Sequence, residues 1–99
     1  MLFVILATDR PDSGEIRTAN RPEHIEYLKG FGDRIVAGGA TLSDDGEAVT
    51  GSFLLVDVAD RAAAEAFAGN DPFAKAGLFG SVEIRRWRKA IFNPPRDRP

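Results

Sequence analysis

The sequence predicts an α+β sandwich, in which two helices cover one face of a four-stranded antiparallel sheet. Two kinds of pattern indicate this class. Four segments have the apolar alternation or the short apolar runs of strands, and two segments repeat apolar residues at helical spacing. These elements follow one another in the order β-α-β-β-α-β, and 99 residues are enough for one such domain but not for two.

The N-terminal third predicts a strand, a loop and a helix. The apolar run Leu2–Thr8 is typical of a strand, and the polar residues 9–19 indicate a loop. We place the first helix at about Asn20–Phe31, because Pro22 suits a first turn and Gly30 suits a helix end. Three apolar residues recur at helical spacing and are expected to face the core: Ile25, Leu28 and Phe31.

The middle of the chain predicts a β-hairpin. Its strands are about Arg34–Leu42 and Gly51–Val58, and the turn between them is Ser43–Gly46, in which Asp-Gly is a strong hairpin signal. The Gly38-Gly39 pair in the first of these strands indicates a bulge or a close approach of the backbone to a neighbour.

The C-terminal third predicts a second helix and the last strand. The helix begins after Asp60, a favourable N-cap, and ends near Gly69. Pro72 then opens a short turn or helix that runs through Lys75, and the last strand is about Gly80–Arg88.

The element order corresponds to two split β-α-β units, which give a ferredoxin-like sandwich with both helices on one sheet face. We assign residues 1–90 to this domain and the proline-rich residues 91–99 to a C-terminal tail. The strands carry apolar residues on both faces: the first strand has Phe3, Ile5 and Ala7 on one face and Leu2, Val4 and Leu6 on the other. Two helices cannot cover both faces, so we expect the bare face to pack against a second copy of the chain.

Composition excludes several function classes. The chain has no cysteine, which excludes disulfides, thiolate metal sites and cysteine nucleophiles and makes the cytoplasm the expected location. No apolar run is long enough to span a membrane. With one histidine and no glycine-rich phosphate-binding motif, we expect neither a metal site nor a cofactor.

Nucleic-acid binding is also disfavoured. The 13 basic and 15 acidic residues give a net charge of -2, which offers no general attraction for phosphates. RNA-recognition domains share the β-α-β-β-α-β order, but their third strand begins with a basic residue and carries stacking aromatics. Here Thr50 occupies the basic position, and Ser52 and Leu54 occupy the positions of the projecting aromatics. We therefore expect neither a nucleic-acid nor a membrane partner.

Two residues could carry acid–base chemistry. His24, the only histidine, is expected near the N-terminal end of the first helix, and imidazole changes its protonation between about pH 5 and 8. Because a helix N-terminus disfavours the imidazolium, an acidic partner would matter. Asp71, restrained by Pro72, could be that partner and hold the ring in one tautomer. The residues leave two alternatives open: a half-buried helix histidine without a role, and an aspartate that caps the following turn.

Five short motifs occur in a fixed order along residues 1–90. They are Arg-Pro-x-His-x-x-Tyr-Leu at 21–28, Gly38-Gly39 before the Ser-Asp-Asp-Gly turn, Gly51-Ser52-Phe53, Asn-Asp-Pro-Phe at 70–73 and Ala-Gly-Leu-Phe at 76–79. Together these motifs resemble the YCII (YciI-like) family.

The resemblance implies a ferredoxin-like dimeric α/β barrel with a cleft that holds a His–Asp pair, which by motif position is His24 and Asp71. The family resembles muconolactone isomerase in fold, and one branch is associated with dehydrochlorination of a chlorinated hydroxyhydroquinone. This implies proton transfer on a small cyclic or aromatic substrate. The sequence departs from the family at Gly38-Gly39, where many relatives have Gly followed by Pro, and the departure leaves the substrate wall undefined.

We therefore expect a small homodimeric enzyme of lyase or isomerase type that binds a small-molecule ligand. His24 would accept and donate the proton, and Asp71 would orient the imidazole. Five further residues are candidates for substrate contacts: Arg21 and Ser52 for a polar group, and Phe73, Phe79 and Trp87 for an apolar wall. The alternative is a non-catalytic small-molecule-binding or accessory module in which the His–Asp pair is structural.

Overall fold

Four antiparallel strands and three helices make up the α+β fold of residues 1–95, the part of the chain that the computed structural model describes. The strands are β1 (Leu2–Asp9), β2 (Ile35–Leu42), β3 (Val49–Asp57) and β4 (Phe79–Trp87). The helices are α1 (Gly14–Lys29), α2 (Arg61–Asn70) and α3 (Pro72–Lys75), with a 3-10 turn at Gly32–Arg34. The sheet order is β2-β3-β1-β4, and every neighbouring pair is antiparallel. The predicted β-α-β-β-α-β order is therefore confirmed, with α3 as a short addition after α2.

The start of α1 differs from the prediction. The helix begins at Gly14 rather than at Asn20, so most of the predicted loop at residues 9–19 is helical. Pro22 consequently lies inside the helix, where it has no N–H to donate to the carbonyl of Thr18. The Ser13 hydroxyl, which precedes the helix, donates to the backbone carbonyl of Arg10 and does not cap it.

This earlier start changes the electrostatic position of His24. It is the eleventh of the sixteen residues of α1, and not a first-turn residue as predicted. A helix dipole acts within its first and last turns, so the expected penalty on a protonated imidazole at the helix start does not apply.

The local signals elsewhere are mostly confirmed. The Asp60 carboxylate caps α2 by accepting from the N–H of Ala63 at 2.8 Å. The hairpin turns at Ser43–Gly46, where Gly46 has a φ of +75°. The glycine pair in β2 corresponds to a close approach and not to a bulge, because a Cβ at Gly38 would lie 2.7 Å from the side chain of Leu54.

The core lies between the sheet and the helices. It is formed by buried residues of β1, β3 and α2: Phe3, Ile5, Leu54, Val56, Ala64 and Phe67. Leu28 of α1 and Phe31, just after this helix, are half-buried and pack against this cluster, whereas Ile25 is half-buried without being part of it. Burial of these side chains is the main force that stabilises the sandwich.

The opposite sheet face remains open and apolar. Leu6 and Phe53, which are cross-strand partners, are exposed there. The comparison with RNA-recognition domains placed Ser52 and Leu54 where aromatics project from the open face, but both residues are buried on the helix side. The face assignment of β3 in that comparison was therefore shifted by one residue. Phe92 covers part of the open face next to Trp87, and residues 91–95 have no regular secondary structure. The rest of the predicted tail lies outside the described residues.

No helix within residues 1–95 is long and apolar enough to cross a membrane.

Candidate functional site

His24 and Asp71, 47 residues apart in the chain, meet at the junction of α1, α2 and α3. His24 Nδ1 lies 2.8 Å from Asp71 Oδ1, a distance typical of a charge-assisted hydrogen bond. The two residues are only 8% and 2% exposed. The predicted contact between them is therefore present in the folded chain.

The backbone around Asp71 explains its position. Asp71 has φ −59° and ψ 130°, an extended conformation imposed on a residue that precedes proline. Its Oδ1 also accepts from the N–H of Phe73 at 2.9 Å and so caps α3. The capping role and the His24 contact, which were alternatives at the level of sequence, coexist on a single oxygen atom.

The hydrogen bond determines which nitrogen of His24 is free to react. An ionised carboxylate only accepts, so Nδ1 carries the proton and Nε2 keeps its lone pair in the neutral ring. Within residues 1–95, Nε2 makes no hydrogen bond, yet it is not sealed from solvent. The ring is held in place by Phe73, with the two rings stacked at 4.0 Å and 14°. The pair thus presents a positioned imidazole with an accessible basic atom.

Arg17, which the sequence analysis placed in a loop, is part of the same cluster. Its Nε and Nη2 donate to the two carboxylate oxygens of Asp9 at 2.8 and 2.9 Å, and Nη2 also donates to Ser52 Oγ at 3.0 Å. The guanidinium lies 4.7 Å from the centre of the Phe73 ring. Helical spacing could have found it, because Arg17 and His24 are seven residues, or two turns, apart.

A narrow crevice, which we call the Asp71 crevice, opens beside Asp71 between the sheet and α2, and His24 is not among its lining residues. It has room for about one water molecule, roughly 10 Å³. Its lining is Ile5, Ala7, Ser52, Leu54, Ala68, Asp71, Phe79 and Val82. Two larger clefts, of about 620 and 560 Å³, lie at the ends of α1 and are lined by neither His24 nor Asp71. Next to Asp71, the single chain therefore has an opening for one small group and not for a whole ring.

The other predicted contact residues separate into two groups. Ser52 and Phe79 line the Asp71 crevice, and Phe73 is fully buried against His24. Trp87 is the cross-strand partner of Leu2 and lies beside it on the open face of the sheet. It is therefore on the other side of the sheet from His24 and Asp71. Arg21 is exposed on α1 and makes no hydrogen bond within residues 1–95. Those residues also contain no cluster of three or more side chains suited to bind a metal.

Tyr27, the only tyrosine, reports on the charge of Asp71. Burial raises the pKa of its phenol above 10.0, and the negative charge of Asp71 raises this pKa further. We expect the tyrosinate absorbance to titrate with a midpoint above 10, and Asp71→Asn to lower the midpoint part of the way. Since the pKa is higher in the folded state, this group's contribution to stability falls as pH rises from about 10 through the folded pKa. A midpoint at or below 10 in protein that circular dichroism shows to be folded would contradict this.

Comparisons with known proteins agree with this description. The family profile of the YCII-related domain matches residues 1–88. Protein YciI of Escherichia coli O6:H1 is 35% identical over an alignment of 98 residues, which covers 92% of this chain and 100% of that protein. An uncharacterized protein of Haemophilus influenzae is 30% identical with the same coverage.

A solved structure also matches most of the chain. It is that of TftG, the 5-chloro-2-hydroxyhydroquinone dehydrochlorinase of Burkholderia phenoliruptrix AC1100, in complex with 2,5-dihydroxybenzoquinone. The two chains are 38% identical with a TM-score of 0.84, over 91% of this chain and 96% of that one. Profile, sequence and structure lead to the same assignment, so this chain belongs to the YCII family, as its motifs predicted.

Proposed function

We propose that this chain is an enzyme of lyase or isomerase type that moves a proton on a small hydroxylated ring, with His24 as the acid–base group. The observation that carries this proposal is the 2.8 Å bond between His24 Nδ1 and Asp71 Oδ1, which leaves Nε2 free and accessible. A positioned imidazole of this kind typically contributes about 10²–10⁴-fold to the rate of a proton transfer.

The likeness to TftG suggests the reaction class. Loss of HCl from a chlorinated hydroxyhydroquinone can proceed in two steps without an external oxidant. A proton first moves from a ring hydroxyl to the carbon that carries chlorine, which gives a keto tautomer. A base then takes the proton of a second hydroxyl, the quinone forms, and chloride leaves with the electron pair of the C–Cl bond. His24 Nε2 can take that proton, and the nearby Asp71 carboxylate stabilises the imidazolium that forms. Neither a metal nor a redox cofactor is needed to balance this step.

A second candidate function is a non-catalytic binding module. The observation that favours it is the capping bond from Phe73 N–H to Asp71, because a purely structural aspartate would make the same bond. In that case, His24 would serve only to bury and hold the Asp71 carboxylate.

The chain offers a matched pair of aspartates that separates these two functions. Asp60 and Asp71 each cap a helix by accepting one backbone N–H, but only Asp71 also binds His24. With 5-chloro-2-hydroxyhydroquinone, we expect chloride release by the wild type, and about 10- to 100-fold slower release by Asp71→Asn, the equivalent of one charge-assisted hydrogen bond. Asp60→Asn should keep the cap, because asparagine is an equivalent N-cap residue, and should lose little turnover. Equal losses of turnover in both variants would favour the structural role, and no release by the wild type would refute this substrate.

We further propose that the open sheet face pairs with a second copy of the chain. Exposed apolar side chains there, Leu6, Val36 and Phe53, lie on the surface away from the helices. A contiguous apolar face of this kind is typical of an interface. The cytoplasmic location expected from the composition also stays a prediction.

Two substitutions at equally exposed positions test the dimer. Leu6 is 40% exposed on the open face, and Val82, the partner of buried Ala7, is 43% exposed on the helix side. We expect Leu6→Glu to convert a dimer to a monomer in analytical ultracentrifugation, because a buried unpaired charge is costly, and Val82→Glu to leave the dimer intact. A wild-type monomer, or loss of the dimer in Val82→Glu alone, would refute this interface.

A further inference from the structure

The Asp71 crevice has only two polar groups among its lining residues, the Ser52 hydroxyl and the Asp71 carboxylate, and its other walls are apolar. Its space fits one oxygen atom with its hydrogen and no more. What the crevice binds is therefore determined by the hydrogen-bonding state of these two groups.

Ser52 has a hydroxyl proton that it can donate into the crevice. Its Oγ accepts from Arg17 Nη2 at 3.0 Å, and a guanidinium has no lone pair with which to accept a bond in return. Arg17 is held in this orientation by its two bonds to Asp9 and by its contact with Phe73. The Ser52 proton donates to no acceptor within residues 1–95, so it remains available to an incoming group.

Asp71 can only accept there. Its Oδ1 is occupied by His24 and by the N–H of Phe73, whereas Oδ2 has no hydrogen bond within residues 1–95. The carboxylate side chain is 3% exposed, and it is not closed off from the crevice that it lines. A carboxylate oxygen that has no partner, on a side chain that is 3% exposed, favours a ligand that brings a hydrogen-bond donor.

We propose that the Asp71 crevice is a subsite for the hydroxyl group of a phenolic substrate, which accepts from Ser52 Oγ–H and donates to Asp71 Oδ2. Arg17 is the positioning residue, because its bond occupies one lone pair of Ser52 Oγ and so orients the hydroxyl, whose proton is left for the ligand. A hydroxyl group is complementary to one donor and one acceptor in this space; a ketone or a methyl ether brings no proton, and a carboxylate would be repelled by Asp71. This inference rests on the proposed function and names the group by which that site recognises its substrate.

The test compares two neutral rings, hydroquinone and 1,4-dimethoxybenzene, in which methyl groups of the second replace both hydroxyl hydrogens of the first. The dissociation constant of each is measured by NMR titration of the amide resonances. We expect the wild type to bind hydroquinone about tenfold or more tightly than the dimethyl ether, because the ether leaves Asp71 unpaired and does not fit.

Variants assign this preference to the crevice. The preference is expressed as the dissociation constant of the dimethyl ether divided by that of hydroquinone. We expect Ser52→Ala and Arg17→Lys each to reduce this ratio. Ser81→Ala, at an exposed serine on β4, should leave it unchanged. General structural damage would weaken the binding of both ligands and preserve the ratio. A change in the ratio therefore reports on the proposed contact of the crevice with a hydroxyl group. Equal binding of both rings by the wild type, or a preference that both crevice variants retain, would overturn the proposal.

Because these are binding measurements, their outcome is independent of turnover. Chloride release without a hydroxyl preference would overturn the subsite and leave the proposed reaction standing. A hydroxyl preference that Ser52→Ala abolishes, in a protein without turnover, would support the subsite and reject the reaction.

Discussion

Replacing His24 with asparagine is expected to lower turnover by about 10²–10⁴-fold while the chain still folds. The amide nitrogen of asparagine can take the place of Nδ1 and donate to Asp71 Oδ1, so the bond that connects α1 to α3 is kept. The basic atom Nε2 has no equivalent in this side chain. Steady-state chloride release would measure the loss, and circular dichroism and thermal unfolding would measure the fold.

The control for this variant is His24→Gln, which removes Nε2 but does not reproduce the position of Nδ1. Both variants should be equally slow if Nε2 is the proton acceptor, and the glutamine variant should be the less stable of the two. Turnover within a few-fold of the wild type in His24→Asn would show that the imidazole is not the acid–base group, and the binding-module function would then be favoured.

Gly51→Ala is expected to cause the largest loss of stability. A Cβ at this position would lie 2.0 Å from the carbonyl oxygen of Ala7 and 3.1 Å from its carbonyl carbon. These are backbone atoms of β1, the strand paired with β3, so the clash cannot be relieved by a side-chain rotation. We expect a loss of about 3 kcal/mol or more, near the upper end for overpacking, and a fall in melting temperature of more than about 10 °C.

Gly69→Ala is the matched control, because it adds the same methyl group where nothing lies within 4 Å. Gly69 is in α2, so the substitution should stabilise the helix by up to about 1 kcal/mol. Urea unfolding of both variants gives the comparison. A Gly51→Ala protein as stable as the wild type would mean that β1 and β3 do not approach as closely as described.

The elements and the His24–Asp71 contact could be predicted from sequence because their signals are local or motif-based. Asp60, the Asp-Gly turn and the glycine after Lys29 each specify a boundary through their own backbone chemistry. The start of α1 could not be predicted this way. Pro22 looks like a first-turn residue, and the six helical residues before Asn20 are held by tertiary contacts such as the Asp9–Arg17 ion pair.

One missed part of the site, Arg17, follows from this error in the start of α1, and the others have separate causes. Once Arg17 is assigned to a loop, its spacing from His24 no longer indicates that the two residues share a helix face. Its bond to Ser52 could not be predicted either, because Ser52 is 35 residues away in the chain. The size of the Asp71 crevice is set by the packing of side chains from β1, β3, β4 and α2, which no short motif encodes. The sequence also could not decide which residues of β3 face the helices, because apolar residues occupy both faces of this strand.

The double use of Asp71 Oδ1 has a consequence for how such proteins diverge. A mutation of this aspartate would remove both the cap of α3 and the contact with His24, whereas a mutation of His24 would remove the contact and leave the cap in place. If the proposed chemistry were lost in a lineage, the histidine could be replaced, while selection for folding would retain the aspartate. Under the proposed function, relatives that have an aspartate at this position and no histidine opposite it would be chains that have lost the activity and kept the fold.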